Sequence, residues 1–136
     1  MNPRDIKLLE LRPEIPFAKI TDNMSDEERF QNKTLRPIAK LQNDLFLAMF
    51  RNYIKKHKNK FYELKLESRM IYVETAIQKD IKFRNSLKGA IIGQFTIEEY
   101  DTYILNSSAL NKRMMNIVRE RLQSNIQLLE KHDVAY

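Results

Sequence analysis

The sequence predicts an all-α fold: a single helical bundle of four to five helices with an extended N-terminal arm. Three observations carry this. Two glycines and four prolines occur in 136 residues, where average usage gives about nine and seven. Turn-dense β folds need those residues and long helices do not. Two Ser/Thr-x-x-Glu sequences mark helix starts. No stretch of five or more residues alternates cleanly between polar and apolar, as a half-buried strand would.

Residues 1–24 are expected to form the arm and residues 25–136 the bundle. Pro3, Pro13 and Pro16 crowd the first sixteen positions, and Arg12 and Ile15, each preceding a proline, are pushed towards extended geometry. Leu8, Leu9, Leu11, Ile15, Phe17 and Ile20 are too apolar for a free tail. The arm therefore packs either on its own bundle or on a second subunit.

Ser25-Asp-Glu-Glu28 is a capping box with three acids on the positive end of a helix dipole. Thr34 precedes a run with Pro37 in its first turn, where proline is tolerated. Thr96-Ile-Glu-Glu99 is a second box, flanked by Phe95 and Tyr100 as a hydrophobic staple. Asn106-Ser-Ser108 can cap a last helix. The expected helices span about 25–33, 34–59, 65–92, 97–105 and 109–131, with a break near Asn85-Ser86. Gly93 is expected to end a helix in the left-handed conformation and Gly89 to allow close helix approach.

The net charge of +6 is unevenly placed. Residues 29–60 hold nine basic side chains and one acid, Asp44, so this segment alone supplies the excess. On a wheel of 34–59, Leu35, Ile38, Leu41, Leu45, Phe46, Met49 and Tyr53 form the apolar face. Lys33, Arg36, Lys40, Arg51, Lys55 and Lys58 gather on the opposite arc, and Arg29 joins them if the helix runs through Pro37. This is a solvated face, or a footprint for nucleic acid or another polyanion. No helix-turn-helix, RNP aromatic pair or zinc finger accompanies it.

Asp80, Arg84, Arg121 and Asn125 fall inside or beside apolar arcs. Buried charges must be paired, so these four residues imply either an interhelical ion-pair network or a small polar pocket for an anion. Asp80 and Arg84, four apart, are expected to engage each other or Arg121.

With no cysteine, thiolate metal sites, disulfides and thiol nucleophiles are excluded. His57 lies in the cationic run and His132 near the C-terminus, neither at ligand spacing from a carboxylate. Glu63, Glu67 and Glu74 lack the paired E-x-x-H of a diiron site. No catalytic residue, metal or cofactor is indicated. The longest apolar run, Leu45–Phe50, is too short for a membrane span, and a cytoplasmic protein without a membrane partner is expected.

The segments Leu11–Pro16, Glu28–Asn32, Ile77–Gly89 and Asn106–Met115 resemble a family of short bacterial proteins of unassigned function, and the likeness runs over nearly the whole chain. Some members carry a glyoxalase-type label, which implies a βαβββ fold with metal-binding His and Glu on strands. Three functional readings follow: a non-enzymatic interaction or assembly module that forms a homo-oligomer, a polyanion binder using the 29–60 face, and a metal-dependent lyase of the glyoxalase type.

Overall fold

A computed structural model describes residues 1–15 and 19–130. Pro16, Phe17, His132 and the expected end of the last helix at 131 lie outside the described residues. All regular structure among the described residues is helical, 78% of them, without a strand. The βαβββ architecture implied by the glyoxalase label is therefore not what these residues form.

The arm differs from expectation. Pro3–Leu11 is a helix, α1, because Asn2 caps it by accepting from Asp5 N, and Pro3 sits at the first helical position. Here proline starts a helix rather than preventing one. The chain turns extended at Arg12. Polar contacts hold this segment on the rest of the same chain. Arg4 donates to the carbonyls of Gly93 and Phe95, and Asp5 accepts from Ile97 N.

α2 (Asp26–Phe30) begins at Ser25, whose hydroxyl accepts from Glu28 N. It continues through a widened turn, Gln31–Leu35, into α3 (Arg36–Leu41). In that turn Arg36 N reaches back five residues to Gln31 O. The widening follows from Pro37, which lacks an N–H and whose ring would collide with the carbonyl of Lys33 in a regular helix. After Gln42 the chain restarts as α4 (Asn43–Lys56), so the expected helix 34–59 begins in the widened turn, is interrupted at Gln42 and ends at Lys56.

A short 3₁₀ turn, Lys60–Glu63, leads to α5 (Leu66–Lys79) and α6 (Ile81–Ile92). These break at Asp80, not at Asn85-Ser86. α7 (Ile97–Ile104) carries the complete capping box of Thr96 and Glu99. The expected staple is absent. Phe95 packs on Phe30 and Tyr103, with ring centroids 5.5 Å apart in each pair, while Tyr100 stays exposed. α8 (Ser107–Ser124) ends earlier than expected and passes into a 3₁₀ turn, Ile126–Leu129.

α8 packs against α3, α4, α5, α6 and α7, and its Leu110, Met114, Ile117, Val118 and Leu122 enter one continuous core. Phe50 lies at the centre of an aromatic group, with the rings of Tyr53, Phe61, Tyr72 and Phe83 at 5.7–6.1 Å. No helix among the described residues is long and apolar enough to cross a membrane.

Candidate functional site

The six cations assigned to one arc are spread over the widened turn, α3, α4 and the chain beyond it, with an interruption at Gln42 between α3 and α4. Lys33 is exposed within the widened turn. Arg36 lies 3.9 Å from Glu120 and donates to Asn32. Lys40 donates to the Glu14 carbonyl and Arg51 to that of Leu128. Lys55 projects from the last turn of α4, exposed. Lys58 lies beyond that helix, at φ 61°, where Asn59 N closes the end by bonding to Ile54 O. Arg36, Lys40 and Arg51 are thus engaged in holding the fold, while Lys33, Lys55 and Lys58 are exposed.

The polar set also separates. Asp80 does not pair with Arg84 or Arg121. The helix break makes it the N-cap of α6, and its carboxylate accepts from Phe83 N at 3.1 Å. Arg84 lies in a different cleft, with Glu74, Gln78 and Arg119, and its Nε is buried without a partner among the described residues. Arg121 meets no carboxylate among the described residues. It donates to Asn43 Oδ1 at 3.2 Å, and burial together with the nearby Arg36 charge lowers its pKa. Asn125 donates to the backbone carbonyl of Arg121, closing the end of α8. The four residues thus form neither one ion-pair network nor one polar pocket; they lie at three separate sites.

Asp80 does line a cleft, but with residues the sequence reading did not connect to it. Met49, Asn52, Tyr53, Lys56 and His57 come from the end of α4, and Lys82, Phe83 and Ser86 from the start of α6. The cleft holds about 300 Å³ and is half open to solvent. His57 stacks on Tyr53, with centroids 4.0 Å apart and planes 23° from parallel. Tyr53 in turn lies 4.5 Å from Phe83. His57 Nδ1 is 2.8 Å from the Tyr53 carbonyl oxygen, a contact that requires the proton on Nδ1 and leaves Nε2 free to face outward. Burial raises the Tyr53 pKa, and the Asp80 carboxylate raises it further.

The sequence held a partial signal for this site. Tyr53 and His57 are four apart, the spacing that stacks side chains on a helix, but in sequence His57 stands out only as a member of a charge run. The approach of α6 to α4 is a tertiary fact that no wheel contains. It is fixed in part by Gln42, whose amide donates to the Ala90 carbonyl at 2.8 Å. No group of three or more His, Asp or Glu among the described residues is placed to hold a metal ion. Set against protein-family models, curated proteins and solved structures, the chain matches none.

Proposed function

We propose that this chain is a non-enzymatic helical interaction module that assembles with a second copy of itself through the outer face of α7. In this reading α3–α4, α5, α6 and α8 form the bundle proper and α7 is displayed on it. One observation carries the proposal. Ile97, Tyr100 and Ile104 recur at the spacing of a single helix stripe yet are 55%, 45% and 52% exposed, and Leu105 beyond them is 85% exposed. Single exposed apolar side chains are ordinary, but a row of them on one helix is a surface suited to a partner.

A second copy suits the stripe by charge. Glu98 and Asp101 are exposed beside it, and the excess positive charge of the chain is confined to residues 29–60. A contact between the α7 stripe of one copy and the basic segment of another is attractive, whereas α7 against α7 brings acids together. Sedimentation of the intact chain over a range of concentrations tests this. Self-association is expected, and it is expected to vanish in Tyr100→Lys/Ile104→Glu. A monomer at about millimolar concentration overturns the reading.

The second reading, polyanion binding, draws on Lys55, Lys56, Lys58 and Lys60. All are exposed and none forms an ion pair among the described residues. If this cluster binds phosphate backbones, duplex DNA is retained at about 50 mM salt and lost steeply as salt rises. Lys55→Glu/Lys58→Glu then weakens binding uniformly across sequences.

A further inference from the structure

We propose that the cleft between α4 and α6 is a binding site for one nucleotide unit, with the base set against the His57–Tyr53–Phe83 rings and the phosphate held by Lys56 and Lys82. The cleft uses no residue of α7, but its Tyr53, Lys56 and His57 lie in the basic segment 29–60 that the assembly offers to a second copy; the argument does not depend on that assembly.

Three rings from two helices stand in sequence, His57 on Tyr53 and Tyr53 beside Phe83, at 4.0 and 4.5 Å. The outermost ring is held in place by its bond to the Tyr53 carbonyl, and His57 is exposed. A preset ring with a solvent-facing side is a stacking platform, and flat π faces are what such a platform selects. An aliphatic side chain or an inorganic anion gains nothing from it.

Asp80 narrows the ligand further. Its carboxylate accepts one backbone hydrogen bond and keeps acceptor capacity in the cleft, and no cation pairs with it among the described residues. An acidic ligand group is repelled there. The N–H edge of a base is attracted, because a carboxylate can only accept. Lys56 and Lys82 line the same cleft from its two walls and offer ammonium groups to a phosphate. A space of about 300 Å³ suits one base with its sugar rather than a dinucleotide cofactor.

The unit can come from a free mononucleotide or from a single strand, in which case neighbouring phosphates fall to the exposed Lys55, Lys58 and Lys60. The test is an amide and side-chain NMR titration of the full chain. Its arms are the four ribonucleoside monophosphates, a single-stranded ten-nucleotide RNA, a duplex of the same length and inorganic phosphate. Mononucleotide or strand is expected to shift the signals of Tyr53, His57, Asp80 and Phe83 together. His57→Ala, an exposed substitution, is expected to weaken binding about fivefold or more, the loss of one stacking partner. Lys82→Glu is expected to weaken it similarly. Asp80→Asn keeps an N-cap acceptor for Phe83 N, so the fold survives, and base preference is expected to change.

A strand binding about tenfold more tightly than any mononucleotide, with a salt slope, identifies the single strand as the source. Equal binding identifies the free nucleotide. The site is overturned if no arm shifts these signals at about 10 mM ligand, if inorganic phosphate reproduces the whole effect, or if the duplex binds as well as the strand. In Tyr100→Lys/Ile104→Glu the basic segment is free of α7, so nucleotide binding is kept or tightened, which separates failure of this site from failure of the α7 assembly.

Discussion

Arg12 grips Glu99 with both guanidinium prongs, Nη1 to Oε2 and Nη2 to Oε1, across 87 residues of sequence. The pair joins the extended chain after α1 to the first turn of α7. Both side chains are largely buried, at 9% and 16% exposure. Glu99 also accepts from Thr96 N at 2.8 Å and from the Thr34 hydroxyl at 3.0 Å. One carboxylate therefore satisfies the N-terminus of α7, the widened turn before α3 and the N-terminal segment at once. Removing Arg12 strands that charge. Arg12→Ala is expected to cost about 3 kcal/mol in urea unfolding. Arg12→Lys is expected to recover only part, since an ammonium lacks the fork. A cost within about 0.5 kcal/mol would show that the pair is not formed in solution.

The same pair sets the acid limb of stability. Burial pushes the Glu99 carboxyl up, but the Arg12 hydrogen bond, the Thr96 N–H, the Arg12 charge and the Thr34 hydroxyl together hold it below its ordinary value. Asp5 is also lowered, chiefly by the Ile97 N–H. A carboxyl lowered in the folded state binds protons more readily once unfolded. Its contribution is full above the ordinary carboxylate range and is lost as pH falls through the folded value. Stability is therefore expected to decline on acidification below about pH 5. In Glu99→Gln that decline is expected to be shallower, although the variant is less stable at neutral pH. Thermal melts at several pH values check both statements.

Tyr72 offers the opposite case. Its hydroxyl is buried beside the Phe50–Phe61 group and has no hydrogen-bond partner among the described residues. Removing an unsatisfied group costs nothing and relieves its desolvation. Tyr72→Phe is expected to leave stability unchanged or raise it by up to about 1 kcal/mol. A loss of that size would reveal a bound water or other partner for the hydroxyl.

These contacts indicate which parts of the molecule a sequence can disclose. Thr96 and Glu99 are three apart, so their reciprocal capping is local and readable. The absence of strands among the described residues agrees with the scarcity of glycine and proline, which composition alone shows. Arg12–Glu99, Gln42–Ala90 and the approach of Phe83 to Tyr53 join distant segments, and no periodicity encodes them. The missed α1 has a different cause. Asn2-Pro3 is a helix-start pair, but three clustered prolines suggested extended chain, and proline has both meanings. The Asp80 break was half visible. The apolar stripe rotates past Ile81, and a residue able to cap stands immediately before the rotation. Reading 65–92 as one helix made Asp80 and Arg84 neighbours, which the break undoes.

Arg121 tests the correction to the polar set. With Asn43 as its side-chain partner and Arg36 as a like charge nearby, its guanidinium adds little net attraction, while its aliphatic stem packs. Arg121→Met is expected to change stability by no more than about 1 kcal/mol, and Arg121→Ala is expected to lose more because the stem is removed. A loss of about 3 kcal/mol in the Met variant would mean that a buried carboxylate partner exists.

The two glycines of the chain differ: Gly93 ends α6 as expected, though not in the left-handed conformation, and Gly89 does not serve a close helix approach. Gly89 lies inside α6 on an exposed position, and a Cβ built there meets no atom within 4 Å. No helix approaches it closely, so the residue only adds conformational freedom to the unfolded chain. Gly93 ends α6 at φ −60° and ψ −16°, not in the left-handed region. A Cβ there comes within 3.1 Å of the Gly89 carbonyl oxygen, and that carbonyl also accepts from Gly93 N and cannot move freely. Gly89→Ala is therefore expected to stabilise the protein by about 0.5–1 kcal/mol. Gly93→Ala gains the same unfolded-state term but must displace a bonded carbonyl by a few tenths of an ångström. Its net effect is expected to fall at least about 0.5 kcal/mol below that of Gly89→Ala. Chemical denaturation of the two variants side by side decides the matter. Equal gains would show that the end of α6 is loose enough to absorb the methyl group, and a loss at Gly89 would show that something packs over that position after all.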